Sequence, residues 1–305
     1  MAVRILLLGA NGQLGQALHV ALGELGTVLP ATRDGRLSGG GEAEVADLSA
    51  PASLPALVER VAPDLVVNAA AYTAVDRAED EPELAHRVNA EAPGVLSRAC
   101  AAAGIGLVHF STDYVFDGSS QRPWREDDPT GPLGVYGASK LAGEQAVREG
   151  GAAHKIFRLC WVYGPRGHNF LLTMLRLARE RGHLRVVDDQ HGTPTAVPRI
   201  AAAVAGALRN GPGRTGTWHL AAGGESSWHG FADAIFEAAV ARGLLAAAPV
   251  LEAVPSEAYP TRARRPAWSV LDTSAFTRDF GLHIGHWREG LDEVLASLAS
   301  EGGRP

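Results

Sequence analysis

The most constraining feature of the sequence is its first strand–turn–helix unit. Val3–Leu8 is almost entirely apolar, as expected of a parallel strand buried on both faces. Three glycines follow at intervals of three residues, Gly9, Gly12 and Gly15, and a helical pattern continues to Leu25. Glycines at this place permit a tight turn and the close approach of a pyrophosphate to the helix N-terminus. The unit therefore predicts a dinucleotide-binding site.

Strand-like and helical patterns continue to alternate along the chain. Apolar strands are predicted at residues 27–32, 64–68, 105–110 and 155–160, and a long helix at residues 83–103. This alternation indicates an α/β fold on a doubly wound parallel sheet of the Rossmann type. With 305 residues, the chain is long enough for one large domain or for two unequal lobes.

Composition excludes several classes of protein. The net charge of −6 includes no basic excess of the kind that binds nucleic acid. No apolar run is long enough to span a membrane, and the N-terminus leads into the glycine turn rather than a secretory signal. We therefore expect a cytoplasmic protein with no membrane partner. Cys100 and Cys160 lie in apolar runs without metal-ligand spacing, which predicts buried thiols.

The end of the second strand indicates which nicotinamide dinucleotide is bound. In a Rossmann unit, an acidic residue there binds the ribose 2′-hydroxyl of NADH. Here Arg33 occupies the position and Asp34 follows it. Because an arginine suits a 2′-phosphate, NADPH is favoured, with NADH as the alternative through Asp34. Asp47, further along, is either a turn residue or part of the loop that borders the adenine.

Small and hydroxyl-bearing residues follow the next two strands. Ala69, Ala70 and Ala71 come after the strand at 64–68 and would let a dinucleotide lie against the backbone. Ser111 and Thr112 come after the strand at 105–110. Because ligands of open α/β sheets bind at the carboxyl ends of strands, either hydroxyl is a candidate hydrogen-bond partner of a substrate carbonyl.

Tyr136 and Lys140 are four residues apart at the start of a predicted helix, so both side chains lie on one face. A phenol with a pKa near 10 is a weak acid at neutral pH, and an adjacent ammonium group lowers that pKa. The pair therefore predicts a proton donor for the reduction of a carbonyl. The chain contains only two lysines, which makes a chance pairing uncommon.

Together, the glycine turn, residues 68–71, residues 111–116 and the Tyr136–Lys140 pair resemble the extended short-chain dehydrogenase/reductase family. Further motifs are similar to the branch of that family that reduces dTDP-linked 4-keto-6-deoxy sugars. They lie at residues 12–15, 74–79, 161–164, 189–195 and 259–266. The resemblance covers nearly the whole chain, from Val3 to about Trp287.

The resemblance implies two lobes and a reaction. Residues 1–160 would form the main part of an NAD(P)-binding Rossmann domain. Residues 161–305 would form mainly a smaller α/β lobe that binds the substrate, with some segments returning to the first domain. The implied reaction is the NADPH-dependent reduction of the C4 ketone of dTDP-4-dehydro-L-rhamnose to dTDP-L-rhamnose.

Roles follow from the matching motifs. Thr112 would polarise the ketone, Tyr136 would protonate the forming alkoxide, and Lys140 would lower the pKa of Tyr136 and hold the nicotinamide ribose. The predicted cofactor-binding residues are Gly9, Asn11, Gly12, Gln13, Leu14, Gly15, Arg33, Asp47, Leu48, Ala69, Ala70, Ala71, Tyr136 and Lys140. The predicted substrate-binding residues are Thr112, Asp113, Tyr136, Trp161, Arg262 and Arg265.

Two of these predictions have structural alternatives. Trp161 would touch the sugar, or it packs in the core. Arg262, Arg264 and Arg265 lie in a non-helical segment, where one or two would bind the diphosphate or nucleotide; otherwise they are solvated surface charges.

The sequence constrains metal binding and oligomeric state less than it constrains the fold. The histidines show no metal-ligand spacing, so no metal ligands are predicted. Some relatives hold magnesium at a dimer interface through a glutamate two residues after the glycine turn, and Ala17 occupies that position here. Magnesium therefore stays uncertain, and the protein is expected to be a monomer or a homodimer.

Alternative functions are a nucleotide-sugar epimerase or dehydratase of the same fold, or a non-catalytic NADP-binding regulatory subunit. A dehydratase of this group needs an Asp-Glu step after the threonine, whereas this chain has Asp113-Tyr114. The intact Thr112, Tyr136 and Lys140 argue against a regulatory subunit.

Overall fold

A seven-stranded, wholly parallel sheet forms the centre of the protein, in a computed structural model that describes residues 3–300. The strand order is β11-β6-β5-β4-β1-β2-β3, as expected of a doubly wound sheet. The predicted fold class is thus confirmed. The strands are β1 (Val3–Leu8), β2 (Gly26–Thr32), β3 (Glu44–Val45), β4 (Leu65–Asn68), β5 (Gly106–Thr112), β6 (His154–Leu159) and β11 (Gly216–His219).

Helices cover both faces of the sheet, because alternate residues of each strand point to opposite sides. In β1, Ile5 and Leu7 belong to one apolar cluster, and Leu6 and Leu8 to another on the opposite face. The helices are α1 (Gln13–Leu22), α2 (Leu54–Val61), α3 (Val75–Ala78), α4 (Pro82–His86), α5 (Ala92–Ala103), α6 (Val135–Glu149), α7 (Phe170–Glu180), α8 (Val197–Asn210), α9 (Trp228–Ala241), α10 (Ser274–Phe280) and α11 (Trp287–Ser300).

The second half of the chain adds three small two-stranded ladders and returns one strand to the main sheet. Strand β11 pairs in parallel with β6 at the sheet edge. The ladders are formed by β7 (Val162–Tyr163) with β10 (Thr195–Ala196), β8 (His183–Val187) with β13 (Val250–Val254), and β9 (His191–Gly192) with β12 (Ser226–Ser227). The division into lobes near residue 160 stays a prediction.

The prediction of one continuous helix at residues 83–103 is wrong. The helix is interrupted by a π-helical turn, Arg87–Glu91, between α4 and α5. Pro93 lacks the N–H that would bond the carbonyl of Asn89 in a continuous helix. Helix α6 comes so close there that a Cβ on Gly143 would lie 2.0 Å from this carbonyl oxygen. The interruption therefore places Asn89 against α6.

Strand β5 extends to Thr112, so Ser111 and Thr112 are its last residues rather than the start of a loop. The frayed tail predicted at residues 301–305 lies outside the described residues. Between residues 3 and 300, no helix is both long enough and apolar enough to cross a lipid bilayer.

Candidate active site

The glycine turn has the geometry of a phosphate-binding turn. Gly9 adopts a left-handed φ of 77°, and a Cβ there would lie 2.6 Å from the backbone nitrogen of Ala70. A Cβ on Gly15 would lie 2.0 Å from the carbonyl oxygen of Gly9. Gly12 precedes α1 without any side-chain cap, so the first N–H groups of the helix are open to an anion. The turn thus fits the pyrophosphate of a dinucleotide.

Residues around the turn are fixed by local hydrogen bonds. Asn11 donates from Nδ2 to the carbonyl of Arg36 (2.8 Å) and accepts from the backbone N–H of Ser38 (2.9 Å), which holds the loop after β2 beside the turn. The half-buried Ala69, Ala70 and Ala71 follow β4, with Ala70 against Gly9. This alanine segment therefore borders the turn as predicted from the sequence, although its contact with a cofactor stays a prediction.

Gln13 and Leu14 face different surroundings. Gln13 accepts from Asn169 Nδ2 (3.3 Å) and donates to the carbonyl of Val162 (3.5 Å), so it joins α1 to the second half of the chain. Leu14 is packed in the main apolar cluster, which leaves its backbone rather than its side chain available to a ligand.

Arg33 and Asp34, the candidate residues for the choice between NADPH and NADH, directly follow β2. Arg33 and Asp34 are exposed. Asp34 accepts hydrogen bonds from Arg36 N–H (3.3 Å) and the Thr32 hydroxyl (3.2 Å), and its pKa is lowered, chiefly by the bond from Arg36. The Asp34 carboxylate thus stabilises the local turn, whereas the Arg33 side chain is exposed at the surface.

Asp47 has the turn role that the sequence analysis gives as one alternative, and the contact of this loop with the adenine stays a prediction. The carboxylate of Asp47 accepts from the backbone and hydroxyl of Ser49 (2.9 and 2.7 Å), which is a turn-stabilising role. Leu48 is buried in the cluster that contains α2. The loop lies near the end of β2, since the positive charge of Arg33 helps to lower the pKa of the Asp47 carboxyl group.

Tyr136 and Lys140 lie one turn apart on α6 as predicted, and burial shifts the pKa of each. Lys140 is buried, and its ammonium group donates to the carbonyl of Phe110 at 2.6 Å. Desolvation raises the pKa of Tyr136 to about 12, and desolvation lowers the pKa of Lys140 to about 8. Burial therefore sets the pKa of Tyr136 in this structure, and the lowering of that pKa by Lys140 stays a prediction.

Thr112 and Asp113 form a buried pair beside Tyr136. The Thr112 hydroxyl donates to Asp113 Oδ1 at 2.8 Å, and the backbone N–H of Tyr114 donates to that hydroxyl at 3.2 Å. Burial raises the pKa of Asp113 to about 6, although a hydrogen bond from Thr112 partly offsets it. Because a hydroxyl has one proton, Thr112 can donate to a ketone only when it turns from Asp113 or when Asp113 is protonated.

Helix α6 is fixed at both ends. The backbone N–H of Val135 donates to Glu79 Oε1 at 2.8 Å, which satisfies an orphan donor of the first turn. Further along, buried Glu144 accepts from Arg158 of β6 through both carboxylate oxygens (2.8 Å each). Between them, Asn89 Nδ2 donates to the hydroxyl of Ser139 at 3.0 Å.

The arginine segment closes over the start of α6. Arg265 pairs with Asp76 (2.7 Å) and Arg262 with Asp80. The sequence motifs at 74–79 and 259–266 therefore meet in space, although almost 190 residues separate their charged partners. Arg264 lines a cleft of about 220 Å³, together with Tyr114, Tyr136, Gly134, Glu79 and other residues. Arg262 and Arg265, the two arginines predicted to bind the substrate, thus already have carboxylate partners.

Trp161 follows β6 and is half-buried, which fits both packing in the core and contact with the sugar. Its φ of 42° is left-handed, and its indole stacks on that of Trp228, with ring centroids 3.5 Å apart and planes at 5°.

Cys100 and Cys160 are free, buried thiols, as predicted. In residues 3–300, no cluster of three or more His, Cys, Asp or Glu side chains is arranged to hold a metal ion.

Comparison with known proteins decides the family. A family model described as the RmlD substrate binding domain matches residues 3–300. The chain belongs to this family. A dTDP-4-dehydrorhamnose reductase of Burkholderia thailandensis is 46% identical over 98% of this chain and 100% of that protein. One from Salmonella typhimurium is 42% identical over 97% of this chain and 98% of its own. The predicted family is thus confirmed.

The fold is shared with solved structures of the same family. A crystal structure of dTDP-4-dehydrorhamnose reductase from Bacillus anthracis in complex with NADP has a TM-score of 0.88 and 32% identity, over 97% of this chain and 100% of that one. A structure of an orthologue from Clostridium acetobutylicum has a TM-score of 0.87 and 33% identity, over 97% and 99%. The chain is therefore a member of an NAD(P)-dependent oxidoreductase family, as the sequence predicts.

Sequence reasoning missed several residues of this RmlD-family site. Tyr114 stands edge-on to Tyr136, with ring centroids 5.8 Å apart, and Glu79 caps the catalytic helix. Both belong to quoted motifs, so the motifs carried the signal but their contacts did not follow from spacing. Trp228 lies outside any motif, and only the structure shows its stacking on Trp161.

We expect Asp113→Asn to remove a pH-dependent loss of stability. Because burial raises the pKa of Asp113 from 3.8 to about 6, the folded carboxyl holds its proton more tightly than the unfolded one. Wild type should therefore lose about 2 kcal/mol relative to the variant as pH rises from about 4 to about 6, and keep that deficit above it. Urea unfolding at about pH 4 and about pH 7 measures this difference.

Asp128→Asn is the matched control with the opposite sign. A hydrogen bond from Arg122 lowers the pKa of Asp128 to about 2, so this variant should lose rather than gain stability relative to wild type towards neutral pH. A pH-independent difference for Asp113→Asn would contradict a raised pKa of Asp113.

Proposed function

We propose that the protein reduces the C4 ketone of dTDP-4-dehydro-L-rhamnose to dTDP-L-rhamnose with NADPH. One observation supports this most: Thr112, at the carboxyl end of β5, and Tyr136 and Lys140, on α6, meet beside an open glycine turn, in a member of the RmlD family. Relatives 46% and 42% identical bear the name of that reductase.

The cofactor assignment rests on the fit of the turn. The tight turn at Gly9, Gly12 and Gly15 leads into α1 without a side-chain cap, so a pyrophosphate can bind the first N–H groups of the helix, and the related Bacillus anthracis protein holds NADP. When bound, NADPH supplies the hydride that goes to C4 of the sugar. Arg33, exposed at the end of β2, would pair with the 2′-phosphate through its planar guanidinium group.

Tyr136 supplies the proton. A phenol with a raised pKa is fully protonated at neutral pH, and it is still a stronger acid than the alcohol that forms at C4. Proton transfer from Tyr136 to the C4 oxygen is therefore favourable once negative charge develops there. The ketone gains a hydride at carbon and this proton at oxygen, which balances the reduction.

Thr112 and Lys140 stabilise the charges of that step. The Thr112 hydroxyl, once turned from Asp113, would donate to the C4 oxygen, and the positive charge of Lys140 would stabilise the phenolate left on Tyr136. The ammonium group of Lys140, now on the carbonyl of Phe110, would hold the nicotinamide ribose. The tyrosine regains its proton from solvent after product release.

The substrate would lie under the second half of the chain. Arg262 and Arg265 would approach the diphosphate from the segment that closes over α6, while keeping Asp80 and Asp76 as partners. Trp161 would border the sugar from the end of β6, near Asp113. The cytoplasmic location, the monomer or homodimer and the need for magnesium stay predictions.

One assay tests the function. The purified protein is mixed with NADPH and dTDP-4-dehydro-L-rhamnose, and the absorbance of the reduced nicotinamide is followed. We expect rapid oxidation of NADPH and formation of dTDP-L-rhamnose. The substrate assignment fails if this sugar gives no oxidation while another nucleotide-linked ketosugar is turned over.

Tyr136→Phe should lower kcat by at least about 100-fold, because it removes the proton donor and keeps the ring. The Kd of NADPH, measured by fluorescence titration, should remain close to that of wild type. A variant with a near wild-type rate would mean that the proton comes from another group.

Arg33→Ala should weaken NADPH binding more than NADH binding, by about tenfold or more, because only NADPH carries the 2′-phosphate. Arg36→Ala, a neighbouring exposed arginine of the same loop, serves as the control. Equal losses of affinity for the two dinucleotides would remove Arg33 from the 2′-phosphate site.

A further inference from the structure

Trp161 is held in a strained backbone conformation at the edge of the site. Its φ of 42° is left-handed, and for a bulky residue that conformation is unfavourable. Strain of this kind persists only where the surroundings impose it, and it clusters at functional sites. A tryptophan that merely filled the core would need no such backbone, so the contacts that impose it are informative.

Two contacts hold the Trp161 indole. On one side it lies parallel to Trp228, the first residue of α9, with ring centroids 3.5 Å apart. It also packs directly on Gly192, where a Cβ would lie 2.4 Å from Cε2 of the indole. Strand β9 carries Gly192 and pairs with β12, which immediately precedes Trp228. One small ladder therefore sets both contacts.

Trp228 is itself oriented by polar and aromatic partners. Its Nε1 donates to Gln190 Oε1 at 3.2 Å, and Gln190 Nε2 donates to the hydroxyl of Ser256 at 2.8 Å. The ring of Phe170, at the start of α7, lies 4.6 Å from the Trp228 ring. Both indoles remain half-buried: each packs against a buried apolar cluster and keeps part of its surface exposed.

We propose that Trp228 is a positioning residue for the nucleotide-sugar site. By stacking on Trp161, it holds that indole, together with its strained backbone, in a fixed orientation two residues after Leu159, which pairs with Thr112 in the central sheet. The proposal rests on the proposed function, in which Trp161 borders the sugar. It predicts that loss of the stack weakens the binding of the sugar and leaves dinucleotide binding intact, because the glycine turn is formed by other residues.

Trp228→Leu removes the stacked ring, and Trp228→Phe keeps a ring but removes the bond to Gln190. We expect KM for the nucleotide sugar to rise about threefold to tenfold in Trp228→Leu and less in Trp228→Phe, since a stacked aromatic pair is worth roughly that factor in an equilibrium. The Kd of NADPH should not change. The far-ultraviolet circular-dichroism couplet of two stacked indoles should disappear in both variants.

Trp287→Phe is the matched control. Trp287 is a buried tryptophan that also packs on α9, edge-on to Phe231 at 5.8 Å, but it does not stack on Trp161. This variant should keep the couplet and the KM of wild type. Gly192→Ala provides an independent variant, because its Cβ would displace the Trp161 ring; it should raise KM as Trp228→Leu does.

The outcomes separate this proposal from the proposed function. The couplet is measured without substrate, so it reports the stack even if the wild-type protein fails to reduce dTDP-4-dehydro-L-rhamnose. A lost couplet with an unchanged KM in Trp228→Leu would overturn the positioning role. Equal weakening of NADPH and sugar binding would also overturn it, since that pattern indicates a general loss of structure.

Discussion

The buried ion pair between Glu144 and Arg158 is the interaction on which the rest of the site depends. It ties α6, which carries Tyr136 and Lys140, to β6 of the central sheet through two hydrogen bonds of 2.8 Å. Both side chains are almost fully buried, so removal of Glu144 would leave the guanidinium group of Arg158 without its carboxylate partner, at a cost of about 3–5 kcal/mol. The orientation of α6 relative to the strand ends therefore depends on a contact outside the candidate site.

Burial, more than neighbouring charge, sets the electrostatics of the site. It raises the pKa of Tyr136 and of Asp113 and lowers that of Lys140, so each of the three groups is shifted towards its neutral form. A site that disfavours charge at rest interacts strongly with charge that develops during a reaction, since the local dielectric response is weak. The same desolvation keeps the phenol of Tyr136 protonated at neutral pH.

Much of the fold and part of the site were predictable from the sequence. The apolar runs and the glycine spacing specify β1, the turn and α1, because strand burial and close backbone approach depend on local residue types. The break at Arg87–Glu91 was not predictable from helical periodicity, although Pro93 carried its cause. Contacts between distant segments, such as Arg265 with Asp76 or Trp228 with Trp161, depend on how strands and loops pack, which spacing along the chain does not encode.

The left-handed backbone at Trp161 also bears on how such a chain can evolve. A glycine there would relieve the backbone strain, yet it would delete the indole that the surrounding residues orient. Substitution at this position therefore cannot remove the strain and keep the ring. Gains in robustness are easier to find in segments remote from the cleft, such as the exposed glycines at 39 and 182, where an added methyl group meets no neighbour.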